Sequence, residues 1–403
     1  MIHVVGLGMD PDNLPEHSAE VIEHAQVLCG GRAQLAHFDD HPAEKLPITA
    51  PLDRCLAELA DRHAAGLMVV VLAAGDPLYY GIGATLIERL GPEEVAVYPG
   101  ITALQTAAAK LKIPWSRVET VSLHGRHDWL PLYRALIRSD FVAVYTDPTN
   151  VPAAVAQAAL DKGCAHFAAW VLEDMESEHE QVRKFTLEEA ARTSFSPRNL
   201  LLLERTGRPS VALTLGIPDD LLAKEKNLIT KGPVRAAGLS ALRVTPGDVV
   251  WDLGAGCGAV AVEAAALAAG HVLAVEKNAT RVGLIRENIA RTGAYTVEPV
   301  HGSMPGCLDD LPDPDRIFIG GGLSKSDAVL DAACRRLAPG GRLACSVVLL
   351  STLERVRKHL ADRGWPVFVT LVNAAESRPL ADDLHLAAHN PVFIVGADKP
   401  VEA

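Results

Sequence analysis

The sequence is poor in aromatic residues and lacks any apolar run long enough to cross a bilayer. Phe, Trp and Tyr together make up 5% of the 403 residues. Apolar stretches such as residues 67–74 and 260–269 fall well short of the ~20 residues that a membrane-spanning helix needs. Residues 1–6 have no basic flank or cleavage site typical of a secretory signal. We therefore expect a cytoplasmic protein with no membrane partner.

Paired cysteine motifs are also missing. Because the seven cysteines are odd in number and none has CxxC spacing, the sequence argues against a disulfide framework or a zinc knuckle. The aspartates and histidines, including Asp382, Asp383 and His385, show no dependable metal-ligand spacing. We predict reduced thiols and no metal site; the cysteines are Cys29, Cys55, Cys164, Cys257, Cys307, Cys334 and Cys345.

Positive charge is in deficit. The formal net charge is −12, so the field of the whole molecule repels phosphodiester backbones. A nucleic-acid partner is disfavoured, although a local basic groove can still occur on an acidic protein.

The length and the pattern of the chain favour two domains, because 403 residues exceed what one core usually supports. Before a Gly, Pro and charge-rich stretch at 205–227, β-branched runs alternate with helical stretches, which predicts an α/β domain. We place the junction near residue 210, giving domains 1–210 and 211–403. The predicted strands are 2–5, 68–72, 95–98, 141–145 and 200–203, and the predicted helices are 18–25, 52–63 and 153–160.

The second half begins a new α/β series with no convincing repeat of the first. Residues 367–372 and 392–395 are read as two late strands. The other predicted strands are 249–253, 272–276, 297–300, 317–319 and 342–347, with helices ending at Ala269 and Arg291.

A glycine-dense turn follows the strand at 249–253. Glycines at 254, 256 and 258 permit backbone angles and close approaches that a Cβ would block, and open α/β sheets bind ligands at the carboxyl ends of their strands. Glu276, 22 residues after Gly254, can accept hydrogen bonds from ribose hydroxyls of NAD or of S-adenosylmethionine. Asp252, two residues before the first glycine, is more typical of class I methyltransferases. A tight turn without a ligand is the alternative.

Further motifs in this half occur in the order seen in a known family. They are Gly216-Ile217-Pro218-Asp219-Asp220, residues 229–235 (ITKGPVR), 301–305 (HGSMP), 317–322 (IFIGGG) and 337–342 (LAPGGR). This half resembles the decarboxylating methyltransferase domain of cobalamin biosynthesis, although that family commonly has GDAPE where residues 302–306 read GSMPG. The resemblance implies a Rossmann-like class I fold that binds S-adenosylmethionine through Thr230, Gly254, Ala255, Gly256, Cys257, Gly258, Glu276 and Met304.

Three glycine or proline turns in the first half each lead from a strand toward a helix, whose free N–H groups can bind polar ligand atoms. They are residues 4–12 (VVGLGMDPD), 73–81 (AAGDPLYYG) and 97–105 (VYPGITALQ). Together with 121–126 (VSLHGR), they resemble the tetrapyrrole (class III) methyltransferases, in the branch that methylates a precorrin. The resemblance implies a two-lobed fold and the cofactor-side residues Met9, Ala74, Gly75, Asp76, Tyr79, Thr102, Ala103 and Thr146. Asp76 could instead simply cap its turn.

The two resemblances together imply a bifunctional enzyme with one S-adenosylmethionine per domain and a tetrapyrrole substrate. The first domain would methylate C-5 of a precorrin-6 intermediate. The second would methylate C-15 and remove carbon dioxide from the ring C (C-12) acetate. Related C-terminal domains suggest a homo-oligomer, in particular a homotetramer.

Four residues are candidates for the chemistry itself. Lys231 and Arg235 precede the cofactor turn, and we place Arg378 on a loop after the strand at 367–372. We hypothesise that these cations orient the acetate in a poorly hydrated pocket and that His124 carries protons. Each has the alternative of an ordinary solvated or structural side chain.

Two other functions remain open at this point. One is a methyltransferase acting on RNA or protein, which would need a basic, aromatic-interleaved surface. The other is a scaffold in which one domain has lost its cofactor.

Overall fold

A computed structural model describes residues 1–49, 51–125, 128–268, 270–323 and 326–401. Arg126 of the VSLHGR motif and Ala269, the predicted end of a helix, lie outside these residues. The chain divides into two compact units. The first comprises Met1–His127, Asp140–Ala154 and Ala168–Glu204, and the second Asp128–Ser139, Val155–Phe167 and Arg205–Ala403.

The first unit contains a five-stranded parallel sheet. Val69, Val70 and Val71 are fully buried, as expected where helices cover both faces of a parallel sheet. The strands are β1 (Ile2–Gly6), β2 (Val27–Gly30), β3 (Glu44–Pro47), β4 (Val69–Ala73) and β5 (Val95–Tyr98), in the order β3-β2-β4-β1-β5. The helices between them are α1 (Glu16–Glu23), α2 (Arg32–Ala36), α3 (Leu52–Ala64), α4 (Ile82–Leu90) and α5 (Ala103–Leu111).

A second sheet follows along the chain, and it is mixed. Its strands are β6 (Val118–Ser122), β7 (Phe141–Tyr145), β8 (Phe167–Glu173), β9 (Gln181–Thr186) and β10 (Asn199–Arg205), in the order β6-β7-β10-β8-β9. Strands β6 and β7 are parallel, whereas β10 runs antiparallel to β7 and β9 antiparallel to β8. The helices of this stretch are α6 (Leu130–Arg138), α7 (Pro152–Asp161) and α8 (Leu187–Ala190). Helix α6 and most of α7 belong to the second unit.

The second unit is built on a seven-stranded sheet. Its strands are β11 (Val249–Leu253), β12 (His271–Glu276), β13 (Val297–His301), β14 (Arg316–Ile319), β15 (Arg342–Val347), β16 (Val367–Val372) and β19 (Val392–Asp398). The order is β13-β12-β11-β14-β15-β19-β16, with the first five strands parallel and β19 antiparallel to both neighbours. The helices are α9 (Gly232–Leu242), α10 (Ala259–Ala268), α11 (Ala279–Thr292), α12 (Ala328–Arg336) and α13 (Leu350–Ala361).

The strand order of this sheet reverses at β11, which has β12 on one side and β14 on the other. A crevice opens at the carboxyl ends of the strands at such a reversal, and this is where open α/β sheets bind their ligands. The glycine turn that follows β11 lies at this point.

A two-stranded hairpin is one of the elements that the sequence prediction missed. Strands β17 (Ala375–Leu380) and β18 (Asp383–Ala388) pair antiparallel, with Arg378 opposite His385. The prediction of a loop around Arg378 was therefore wrong. Pro379 and the Asp382-Asp383 pair are typical of loops, but proline is tolerated in a strand with an open edge.

None of the helices in the described ranges is long and apolar enough to cross a membrane.

Gly238 of α9 provides a test of the packing of this unit. A Cβ at this position would lie 2.6 Å from Cε2 of the buried Phe318 ring. Gly238→Ala should therefore lower the free energy of unfolding by about 1–3 kcal/mol through overpacking, against the usual helical preference for alanine.

The matched control is Gly283 in α11, where a Cβ would meet nothing within 4 Å. Gly283→Ala should raise the free energy of unfolding by up to about 1 kcal/mol. Urea unfolding of both variants measures the difference, and stabilisation by both would contradict the packing at Gly238.

Candidate functional site

Three glycine turns converge in the first unit. Gly8 and Gly75 form a two-way backbone bridge, with N···O distances of 3.2 and 3.1 Å. A Cβ on Gly6 would lie 2.6 Å from the carbonyl oxygen of Gly75, and one on Gly100 would lie 2.3 Å from the same oxygen. No side chain fits at these approaches, so the motifs at 4–12, 73–81 and 97–105 need glycine for packing of backbone on backbone.

The convergence leaves a cavity of about 600 Å³, a size that suits a small-molecule ligand. It gathers side chains and backbone from all three turns, together with residues of the second sheet. Seven of the eight predicted cofactor residues of this half line it, namely Met9, Ala74, Gly75, Asp76, Tyr79, Thr102 and Ala103.

Polar residues of this cavity also hold its walls. Asp76 accepts backbone hydrogen bonds from Leu78 (2.8 Å) and Gly100 (3.2 Å), so it does cap its own turn while facing the cavity. Thr102 forms a reciprocal capping box with Gln105 at the start of α5. These walls are therefore fixed before any ligand binds.

Thr146 and His124 are not among the described residues that line this cavity. The Thr146 hydroxyl donates to Oδ1 of Asn199 (2.9 Å), and its carbonyl oxygen lies 3.2 Å from Nδ1 of the exposed His124. The structure thus brings Thr146 and His124 together. Thr146 directly follows Tyr145, which does line the cavity.

Sequence reasoning missed several residues of the cavity wall. Tyr145 ends β7 directly before Thr146, and this position was a signal that could have found it. The others belong to no recognised motif; the missed residues include Gln34, His37, Tyr145, Glu176, Ser177 and Arg198.

A second cavity of about 880 Å³ shares the residues from Leu7 to Asp10 with the first. Lys110 lines it, and its ammonium contacts Glu176 (2.7 Å) and Glu180 (2.9 Å). The turn after β1 therefore borders two spaces within the first unit.

In the second unit, the turn after β11 depends on its three glycines. Gly254, Gly256 and Gly258 have φ of +74°, +60° and +78°, which disfavour any side chain. A Cβ on Gly254 would also lie 2.9 Å from the backbone of Gly321, the continuation of β14. The two neighbouring strands thus meet at their carboxyl ends with no room for a side chain.

Glu276 holds this turn from the neighbouring strand. Its Oε2 accepts from the N–H of Gly256 and its Oε1 from that of Asn278, both at 3.0 Å. The side chain is buried, so the carboxylate is fixed at the carboxyl end of β12, as the sequence predicted.

Three further predicted residues, Ala255, Cys257 and Met304, have contacts of their own. The N–H of Ala255 donates to Val275 (3.0 Å), and the carbonyl of Cys257 accepts from the buried Asn288 (2.9 Å). A Cβ on Gly322 would lie 3.2 Å from the methyl carbon of Met304, which places Met304 beside the end of β14.

Asp252 lies beneath the turn. Its Oδ2 accepts from the N–H of Ala261 (3.1 Å), and the side chain is 2% exposed. Burial, with a smaller contribution from the charge of Glu276, raises the pKa of Asp252 from 3.8 to about 7. Asp252 is therefore a titratable group beneath the site. The sequence analysis identified it only as part of a motif.

The three predicted cations have different surroundings. Arg235 is fully buried and bonded on several sides, so the geometry favours a positioning role over the predicted contact with substrate. Lys231 precedes α9, with its side chain 31% exposed and 3.1 Å from Asp219. The carbonyl of the predicted Thr230 accepts from Arg235 (2.7 Å). Arg378 is exposed on the hairpin.

Both sites fit a nucleoside-type cofactor. The first is a cavity lined by glycine turns together with polar and aromatic side chains, and the second is a glycine cradle with a fixed carboxylate one strand away. Within the described ranges, no group of three or more His, Cys, Asp or Glu is arranged to hold a metal ion.

Two known protein families match different parts of this chain. The family described as tetrapyrrole (corrin/porphyrin) methylases matches residues 1–191, and the precorrin methyltransferase domain matches residues 222–395. The precorrin-6Y C(5,15)-methyltransferase [decarboxylating] of Sinorhizobium sp. is 32% identical over 371 residues, which cover 90% of this chain and 88% of the relative.

Two relatives of about half the length match as well. The probable cobalt-precorrin-6B C(15)-methyltransferase (decarboxylating) of Saccharolobus solfataricus is 32% identical over 46% of this chain and 96% of its own. The cobalt-precorrin-7 C(5)-methyltransferase of Salmonella typhimurium is 34% identical over 45% of this chain and 89% of its own.

The two α/β domains and their glycine-lined sites define an S-adenosylmethionine-dependent methyltransferase of fused class III and class I type. The predicted fold class is thereby confirmed. At 32% identity over nine-tenths of its length, the chain belongs to the precorrin-6Y C(5,15)-methyltransferase (decarboxylating) family.

The raised pKa of Asp252 predicts a pH-dependent stability. Its folded-state pKa of about 7 exceeds the ordinary value of 3.8, so folding favours the protonated form. Stability contributed by this group is complete below pH 3.8 and falls as the pH rises toward 7. Asp252→Asn removes the ionisation and keeps an oxygen for the N–H of Ala261.

The measurement is urea unfolding of both proteins at a series of pH values. The free energy of unfolding of the variant relative to the wild type should rise from pH 4 to pH 7. A difference that is constant over this window would contradict the raised pKa.

Proposed function

We propose that this chain methylates a precorrin-6 intermediate at C-5 and C-15 and removes carbon dioxide from the ring C (C-12) acetate, in cobalamin biosynthesis. The observation that carries this proposal is a single alignment, covering 90% of the chain, with a relative whose name combines both methylations and the decarboxylation. We also propose that this biosynthetic enzyme works in the cytoplasm.

We assign C-5 methylation to residues 1–210, and C-15 methylation with decarboxylation to residues 211–403. The family matches at 1–191 and 222–395 support a boundary between them. The half-length relatives support the assignment, since one is named for C-5 and the other for C-15 with decarboxylation.

Each domain would hold one S-adenosylmethionine. In the first domain, the residues of the 600 Å³ cavity would hold it; in the second, the turn from Gly254 to Gly258, Glu276 and Met304 would. When bound, the cofactor supplies an electrophilic methyl group. The protein's own contribution is to position the reactants and exclude water, because the enamine carbons of the ring are already nucleophilic.

An acidic macrocycle needs space and a cation next to each cofactor. The 880 Å³ cavity adjoins the cofactor cavity through Leu7–Asp10 and is lined by Lys110, whose ammonium is paired with Glu176 and Glu180. In the second domain, Lys231 is the partly exposed cation before α9 and would orient the ring C acetate.

The hairpin β17–β18 supports assembly with further copies of the chain. Cross-strand partners share a face, and all residues on one face are uncharged and exposed. A lone hairpin is marginally stable in water, and an exposed apolar face marks an interface. We infer a homo-oligomer, with a tetramer as the expected form, that covers Ala375, Ser377, Pro379, Leu384, Leu386 and Ala388.

Product mass tests the reaction. Incubation with reduced precorrin-6 and S-adenosylmethionine should add two methyl groups and remove one carbon dioxide. Titration with S-adenosylhomocysteine should give two sites per chain, whereas a scaffold with one inactive domain would give one. Transfer of labelled methyl groups to RNA or protein, with no change in the precorrin, would contradict the proposal.

Charge placed on the apolar face of the hairpin tests the assembly. Leu384 and Leu386 are 63% and 74% exposed in the single chain. Leu384→Lys with Leu386→Lys should lower the mass measured by sedimentation, because buried ammonium groups are costly.

The control is Leu380→Lys. Leu380 is 62% exposed, but it lies on the opposite face with Arg378 and His385. This variant should keep the wild-type mass, and equal behaviour of both variants would contradict an interface on the apolar face.

A further inference from the structure

Helix α10, which follows the cofactor turn, carries one charged residue in an otherwise aliphatic sequence, AVAVEAAALA. That residue is Glu263, and it is fully buried. A buried carboxylate is costly unless it is paired and hydrogen-bonded. The position therefore needs an explanation beyond packing, since alanine or leucine would fill the helix at lower cost.

Glu263 is paired inside the protein. Its Oε1 accepts from Nε of Arg235 at 2.8 Å and from the N–H of Ile217 at 3.0 Å. Arg235 is also fully buried. The bond from Arg235 thus joins the helix of the cofactor turn to α9, and the bond from Ile217 joins it to the segment that precedes α9.

The guanidinium of Arg235 also donates to a second carboxylate, which lies nearer the surface. Nη1 of Arg235 donates to Oδ1 of Asp219 at 2.6 Å, and the ammonium of Lys231 lies 3.1 Å from Oδ2 of Asp219. Glu263, Arg235, Asp219 and Lys231 thus form a row of alternating charges, which we call the charge ladder. Side-chain exposure rises along it, from 0% at Glu263 and Arg235 to 21% at Asp219 and 31% at Lys231.

Asp219 is held in its ionised form within this ladder. Partial burial opposes ionisation, but hydrogen bonds from Arg235 and Lys231 outweigh it and lower the pKa of the carboxyl group. Arg235 also donates to the carbonyl of Thr230, so it fixes the backbone next to Lys231 as well as its charge partner.

We propose that Glu263 is a positioning residue, which acts through Arg235 and Asp219 to set the place of the Lys231 ammonium for a carboxylate of the substrate. This inference rests on the proposed role of Lys231 in orienting the ring C acetate. Arg235 divides its positive charge between two carboxylates. Without the charge of Glu263, the Arg235 guanidinium attracts the Asp219 carboxylate more strongly, and the Lys231 ammonium loses its ion pair with that carboxylate.

Glu263→Gln is the informative variant, because it keeps the size of the side chain and an oxygen for Arg235 and Ile217 while removing the charge. It should lower the rate of decarboxylation roughly tenfold, the order expected when a hydrogen bond to a charged group is lost. The affinity for S-adenosylhomocysteine should remain near that of the wild type. Product mass gives the fraction of methylated product that retains carbon dioxide.

A double-mutant cycle with Lys231→Ala separates the ladder from a general structural effect. If Glu263 acts through Lys231, the double variant should decarboxylate no more slowly than Lys231→Ala alone. Independent, multiplying losses would overturn the proposal, and so would an unchanged decarboxylation rate in Glu263→Gln.

Asp398→Asn is the matched control. Asp398 accepts two bonds, at 2.6 and 2.7 Å, from the largely buried Arg342 in the same sheet but has no part in the ladder. Like Glu263→Gln, this variant removes a carboxylate charge from beside a largely buried arginine. It should leave the ratio of products unchanged, and a matching shift would show that lost stability explains both variants.

A second measurement needs no precorrin and so distinguishes failure of the ladder from failure of the proposed function. In pulsed acetylation read by peptide mass spectrometry, Lys231 should react several-fold faster in Glu263→Gln than in the wild type, because its amine is released from Asp219. Equal labelling would overturn the ladder. If the wild type does not decarboxylate but labelling changes, the ladder stands and the proposed function fails.

Discussion

Backbone packed directly on backbone is the constraint on which both sites depend. In the first unit, Gly6, Gly75 and Gly100 approach one another within distances that exclude a Cβ, and in the second Gly254 meets Gly321 in the same way. These contacts bring the carboxyl ends of neighbouring strands together, at the place where open α/β sheets bind their ligands. The two domains have different folds, but both use glycine to pack one strand end directly against the next beside the ligand site.

Buried charge is the second organising feature of the class I domain. Glu276, Asp252 and Glu263 lie on β12, β11 and α10, close in sequence to the glycine turn, and all three are buried. Their bonding partners are either backbone N–H groups or Arg235. Charged groups held in a water-poor setting respond strongly to their neighbours.

Much of the fold could be predicted from the sequence, because long β-branched runs and glycine turns depend on local physics. The strands at Val95–Tyr98, Phe141–Tyr145 and Arg342–Val347 have the predicted bounds. The hairpin could not be found from the sequence. Its strands do not alternate apolar with polar residues in the usual way but charged with small or apolar ones, and Pro379 stands within the first strand. The predicted cofactor residues that belong to a glycine motif lie close together in the structure. The positions of Glu176, Arg198 and Glu263 depend instead on tertiary contacts that no local sequence pattern encodes.

The place of β19 has a consequence for how the chain reaches its native state. Although β19 is the last strand in the sequence, it lies between β15 and β16, and β16 joins the sheet only through it. During synthesis, β16 leaves the ribosome with no neighbour to pair with until residues 392–398 have followed. The class I domain therefore closes its sheet by inserting a late strand, and until then the edge of β15 is open to any other extended segment.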